Sequence, residues 1–285
     1  LAAGQQAALL SGHAGRVTAL RFSPDGTRLW SAALDRTVRA WSVPDGAITA
    51  RIDTPAPLAA LTLVNGGQLL ATAGDEPIIR LWNAPTALPA QPALPKPATS
   101  LAASPERNLA ACGSADGSLH LLDLAAGQVA QTLSGPSAAL LCVAWQIGGA
   151  RVAAGAADGS AWIWDAATYQ PVAALAAGPQ EVTAVALHPS GNQAATATSD
   201  GQLLLWKLDV PAPRPLLASA DEAAATVMTV SRDGRLAATA GTAGGQPAIL
   251  VRELATGNTV ATLLGHTAAI TSLSFSPDGS RLASG

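Results

Sequence analysis

Reactive side chains are sparse in this 285-residue sequence, and the first question is whether any of them converge. His13 and Asp35 are the residue types of two members of an acyl-transfer triad, in which a carboxylate orients an imidazole that activates a hydroxyl. The same types return at fixed phase, as His266 near the end and as Asp158 and Asp200 between, and recurrence of that kind marks a device of the fold. The four histidines, His13, His120, His188 and His266, never fall at metal-ligand spacing, so no metal site is expected. Cys112 and Cys142 read as buried thiols on neighbouring units and not as a disulfide. No glycine-rich loop opens a helix to cradle phosphate, and no Gly-x-Ser-x-Gly elbow occurs. No catalytic residue and no cofactor are therefore assigned, and the expectation is a non-enzyme.

Composition narrows the partners. A hydrophobic fraction of 49% with 12% charged residues can offset the ordering entropy of a folded chain, which excludes a disordered, strongly charged one. The net charge is −3 and the only lysines are Lys96 and Lys207, leaving no basic run to meet a phosphate backbone or an anionic leaflet. Nucleic acid and membrane surface are accordingly not expected as partners. The uncharged stretch from Leu124 to Ala150 is broken by Gln128, Gln131, Gly135-Pro136 and Gln146, which argues against a membrane span. Abundant alanine with arginine favoured over lysine points to a GC-rich bacterial source.

The elements that would position these side chains are short. Alanine favours helix, but 27 glycines and 20 prolines interrupt the chain before most segments reach the roughly 12 residues a stable helix needs. Alternating apolar and polar positions instead predict strands at 17–22, 182–187 and 270–275. Each runs into a turn of one type, Ser23-Pro24-Asp25-Gly26, Pro189-Ser190-Gly191-Asn192 or Ser276-Pro277-Asp278-Gly279, and equivalent turns at Asn65-Gly66-Gly67, Ser104 to Arg107, Gly148-Gly149 and Ser231 to Gly234 complete seven hairpins. A small-residue strand follows, then a second turn opened by Asp35, Glu76, Asp116, Asp158 or Asp200. Six residues past each acid stands Trp41, Trp82, Leu122, Trp164 or Trp206. That slot returns about every 40 to 42 residues, the period of a four-stranded propeller blade.

On Gly12-His13, the Ser23–Gly26 turn, Ser31, Asp35, Trp41 and later copies such as Ala157 to Asp165 and Thr198 to Trp206, the sequence resembles the tryptophan-aspartate (WD) repeat family along essentially its whole length. The resemblance implies an all-β fold, a β-propeller of four-stranded antiparallel blades, as a single domain over residues 1–285. It also implies a structural tetrad of His13, Ser31, Asp35 and Trp41, in which imidazole, hydroxyl, carboxylate and indole satisfy one another across strands. Other repeats depart from it. Thr72, Glu76 and Trp82 stand in repeat two with Pro57 near the His slot, and Thr196, Asp200 and Trp206 in repeat five. Cys112 and Leu122 replace Ser and Trp in repeat three, Ala154 replaces Ser in repeat four, and repeat six has a second turn stretched through Gly241 to Pro247, with Arg252 near the Trp slot.

Residues 5–10 precede Gly12-His13 as Thr259 to Leu264 precede Gly265-His266, so they read as a fourth strand of a preceding blade. The expectation is seven blades, the last holding its first, second and fourth strands but no third. By analogy with Asp35 to Trp41, the native chain is expected to run on by about a dozen residues, making this sequence a fragment of a longer one. The family's loops before the first strand and between the second and third line one propeller face, which most often binds partners. That maps a partner-binding set onto Arg16, Arg36, Asp75, Glu76, Glu181, Asp221 and Glu222. A non-catalytic scaffold for a protein or peptide is the implied function, with a sensing or regulatory module of a larger enzyme or signalling protein as the alternative.

Overall fold

The structure, a computed structural model, describes residues 8–83, 86–87, 92–209, 215–220 and 227–285. Its strands form six four-stranded antiparallel sheets and one two-stranded sheet, so the chain is an all-β propeller of six blades and a partial seventh. Blade one shows the pattern: Val17–Phe22, Arg28–Ala33, Thr37–Ser42 and Ile48–Asp53 pair in chain order. The Ser23–Gly26 turn sets the first pairing. Gly26 takes φ 70°, its N–H donates to Ser23 O at 2.9 Å, and the Asp25 carboxylate accepts from Thr27 N at 3.1 Å.

Second strands such as Leu109–Ser114 and Arg151–Ala156 are buried at nearly every position, because each blade is covered on both faces by its neighbours. Alanine is their commonest residue for that reason: little room is left for a side chain between sheets. Apolar clusters fill the gap between each successive pair of blades. The cluster of Leu20, Leu29 and Trp41 in blade one also takes in Ala283 of the partial blade, closing the circuit. At the same joint Thr271 Oγ1 donates to Val17 O, and Pro277 lies against the Gly26 turn. The first strands of all the blades surround a central channel of about 640 Å³.

Four expectations change. The strand expected at 270–275 is limited to Leu273–Phe275. Repeat six has no stretched turn. Its second and third strands lengthen to Leu236–Ala243 and Gln246–Glu253 and meet in a two-residue turn at Gly244 and Gly245, with φ of 58° and 77°. Two successive positive φ values match the twist of a hairpin, and two glycines adopt them without steric cost. The stretched glycine-rich segment was thus extra strand and a tight turn. Residues 8–10 form no strand, and 5–7 lie outside the described residues. Among the described residues the partial blade holds Leu273–Phe275 and Leu282–Ser284. A fourth strand pairs only with a third, so without that partner Ala8 to Leu10 gain no ladder, and Leu10 packs instead beside the Trp41 cluster.

Candidate functional site

The densest polar cluster is in blade one. His13 is carried by the segment entering the blade, Ser31 by the second strand, Asp35 by the following turn and Trp41 by the third strand. His13 Nδ1 lies 2.9 Å from Asp35 Oδ2, and its Nε2 lies 2.7 Å from Ser31 Oγ. Trp41 Nε1 donates to the same Ser31 Oγ at 2.8 Å. One proton arrangement satisfies every member: indole N–H to Ser31, Ser31 O–H to Nε2, and Nδ1–H to the carboxylate. Thr37, absent from the sequence reading, joins at 2.8 Å from Asp35 Oδ1 and 3.1 Å from His13 Nδ1. The signal for it was a residue able to hydrogen-bond two places past the acid, which Ser118, Ser160 and Gln202 repeat.

Asp35 is held as a carboxylate. Burial would raise its pKa, but hydrogen bonds from His13, Thr37 and the Ala14 amide outweigh that and bring it down to about 2. The connectivity is that of an acyl-transfer triad, yet Ser31 is 2% exposed and Trp41 3%, and the serine lone pair that would attack is engaged by the indole. This set orders strands and offers no nucleophile to a substrate.

Other blades keep fragments of it. Trp82 donates to Thr72 Oγ1 at 2.8 Å and Trp206 to Thr196 Oγ1 at 2.9 Å. Where Ala154 removes the hydroxyl, Trp164 Nε1 donates to the backbone oxygen of Ser134 at 3.2 Å. In blade six Arg252 takes the indole's place and Nη1 donates to Thr239 Oγ1 at 3.1 Å. In the partial blade His266 Nε2 sits 2.7 Å from Ser284 Oγ, repeating the His13–Ser31 pair, and burial lowers the His266 pKa. Glu76 does not act as a tetrad acid: its carboxylate binds Arg80 at 2.6 Å.

The charged residues assigned to partner binding occupy loops tied together within each blade. Leu34 N donates to Arg16 O at 3.0 Å, and Ser199 N to Glu181 O at 2.9 Å, each bond joining the loop before the first strand to that after the second. Arg16, Arg36, Asp75 and Glu181 are exposed, while Glu76 is half-buried against Arg80. Asp221 and Glu222 lie outside the described residues. Leu34, between Arg16 and Arg36 in this loop pair, is 42% exposed. Arg36 has φ 63°, whereas the matching turn residues Gly117, Gly159 and Gly201 are glycines at φ 86°, 81° and 90°. A side chain in that left-handed region costs about 1 to 2 kcal/mol, so Arg36 is held in a strained conformation at the loop surface.

Cys112 and Cys142 are both free, and burial pushes the Cys112 thiol up to about 12. Among the described residues, no group of three histidine, cysteine or acidic side chains is placed to hold a metal, and no helix is long and apolar enough to cross a membrane.

The profile of the family described as "WD domain, G-beta repeat" matches residues 4–42, 127–165, 170–207 and 257–285, just over half of the chain. The U3 small nucleolar RNA-associated protein 21 homolog of Schizosaccharomyces pombe is 40% identical over 74 residues, which are 26% of this chain and 8% of that protein. The match therefore spans less than a tenth of that relative's length. Its fungal origin lends no support to the bacterial source read from composition.

Proposed function

Since this chain belongs to the WD-repeat family, we propose that it is a non-catalytic interaction scaffold whose loop face, at Arg16, Arg36, Asp75, Glu76 and Glu181, docks a protein or peptide. The observation that carries this is Arg36. Glycine serves the same turn in three other blades, so an arginine kept there at a conformational cost favours a use for its side chain, and Arg16 and the exposed Leu34 stand in the same loop pair. Complementary charge on the partner would act mainly on association rate. We read the ring as seven-bladed with the third strand of the last blade missing, because His266 and Ser284 repeat His13 and Ser31 without an acid or indole to complete them.

The second reading, a propeller module within a larger protein, is favoured by the size of the fission-yeast relative, of which the matched segment is 8%. That relative's name associates it with a small nucleolar RNA, so the exclusion of nucleic acid drawn from net charge is not carried forward, and RNA is one arm of the test. Proteins captured by crosslinking to the immobilised chain, and a mixed-sequence fluorescent RNA, would be compared across wild type, Arg16→Glu/Arg36→Glu, and Asp45→Lys on the opposite face. Scaffold function at the loop face expects a protein captured by wild type and Asp45→Lys and lost in the double variant. Capture indifferent to both changes, or RNA binding alone, would overturn it.

A further inference from the structure

The channel carries a feature that the loop face does not explain. Each first strand contributes one residue at the level of Arg21, identified by its register with the second strand: Arg21 faces Trp30, Thr62 faces Ala71, Thr229 faces Ala238 and Ser274 faces Ala283. Ala102, Ala144 and Ala186 complete the layer, opposite Ala111, Ala153 and Ala195. Around the ring the order of blades makes Thr229, Ser274, Arg21 and Thr62 one contiguous polar arc, and the three alanines the facing arc. All seven line the channel of about 640 Å³, and no aspartate or glutamate lines it among the described residues.

Arg21 is half-buried, and its guanidinium makes one hydrogen bond, Nη1 to Leu20 O at 2.8 Å, out of five N–H groups. A cation drawn into a protein wall without a carboxylate beside it is costly, and an anion from solution relieves that cost. Two residues before the layer on the same strand, Ser272 belongs to the channel wall, is 4% exposed, and its buried hydroxyl has no hydrogen-bond partner among the described residues. The alanine arc leaves space opposite the guanidinium where bulkier side chains would fill it.

We propose that the channel at this layer binds a small oxyanion, a carboxylate or a phosphate, with the Arg21 fork as bidentate donor and the neighbouring hydroxyls completing the shell. Phe22 and the Ser23–Gly26 turn follow Arg21 at once, so the site opens toward the face opposite the docking loops.

The test is calorimetric titration of the folded chain with inorganic phosphate and, separately, with acetate at fixed ionic strength. Saturable one-to-one binding of either is expected, weakened about tenfold or more in Arg21→Gln by loss of a charged hydrogen-bonded pair. Ala144→Leu, which keeps the charge and fills the facing arc, should weaken it comparably and carries the test if Arg21→Gln fails to fold. Arg16→Glu/Arg36→Glu should bind as wild type. Phosphate binding without acetate binding, or the reverse, identifies the source of the oxyanion. Absence of saturable binding with both probes, or equal binding in the channel variants, would overturn the site.

Discussion

Replacing Ser31 by alanine removes one oxygen from blade one and strands two buried partners. Trp41 Nε1 loses its acceptor at 2.8 Å, and His13 Nε2 loses the hydroxyl at 2.7 Å. With Trp41 3% exposed and the His13 side chain 6% exposed, water cannot easily replace the hydroxyl. Leaving a buried polar group unpaired costs about 1 to 3 kcal/mol, so the two together cost about 2 to 4 kcal/mol once local relaxation is allowed. For a chain of this size that corresponds to a fall in melting temperature of roughly 4 to 8 °C by calorimetry. The protein supplies its own control. Blade four already has Ala154 in this slot, and its Trp164 indole is satisfied by Ser134 O, so Ala154→Ser should move the melting temperature by less than about 2 °C. A cycle with Trp41→Phe should recover part of the loss in the double variant, because the indole N–H is then no longer orphaned. Should Ser31→Ala melt within a degree of wild type, the hydrogen-bonded set would contribute nothing net and the reasoning would fail.

Three further outcomes follow from the same geometry. Trp41→Ala should lower stability by about 3 to 5 kcal/mol, since it empties the cluster joining blade one to the partial blade, and urea midpoints would register this. The Asp35 carboxyl sits at about 2, below its unfolded value near 3.9, so its contribution is fully present above that unfolded value and is lost as pH falls toward 2. Asp35→Asn should therefore be less stable than wild type at pH 7 and converge on it by pH 2 to 3 in denaturant titrations; parallel curves would refute the linkage. Arg36→Gly should raise the unfolding free energy by up to about 1 kcal/mol, read in urea titration, by removing left-handed strain, while weakening partner capture. A loss of stability there would mean the side chain contributes to the fold.

Turn chemistry was the most legible part of the molecule, because the Ser23–Gly26 type of turn closes on itself. Its glycine conformation, side-chain bonds and flanking strands all lie within a few residues, and the first hairpins of blades one, four, five and six and of the partial blade follow from it. The third-strand tryptophans were legible by spacing for the same reason, since six residues from the acid is a fixed distance along one strand. Repeat six misled because glycines and a proline read equally as a loop or as a tight turn between longer strands, and only strand pairing separates the two.

What the sequence determined by itself was therefore local and periodic: the strands, the turns, the blade period and the identity of the four residues that meet as His13, Ser31, Asp35 and Trp41. What tertiary structure decided was how each imperfect copy is repaired and what the ring encloses. Trp164 turns to a carbonyl 30 residues away, Arg252 substitutes for an indole, and Glu76 leaves the acid slot for Arg80. The Arg21 layer is assembled from every blade at once. The physical reason is range: hydrogen bonds inside a turn depend on neighbours in the chain, whereas the partner of a buried donor, and the set of side chains around a channel, depend on which strands the closed ring brings side by side.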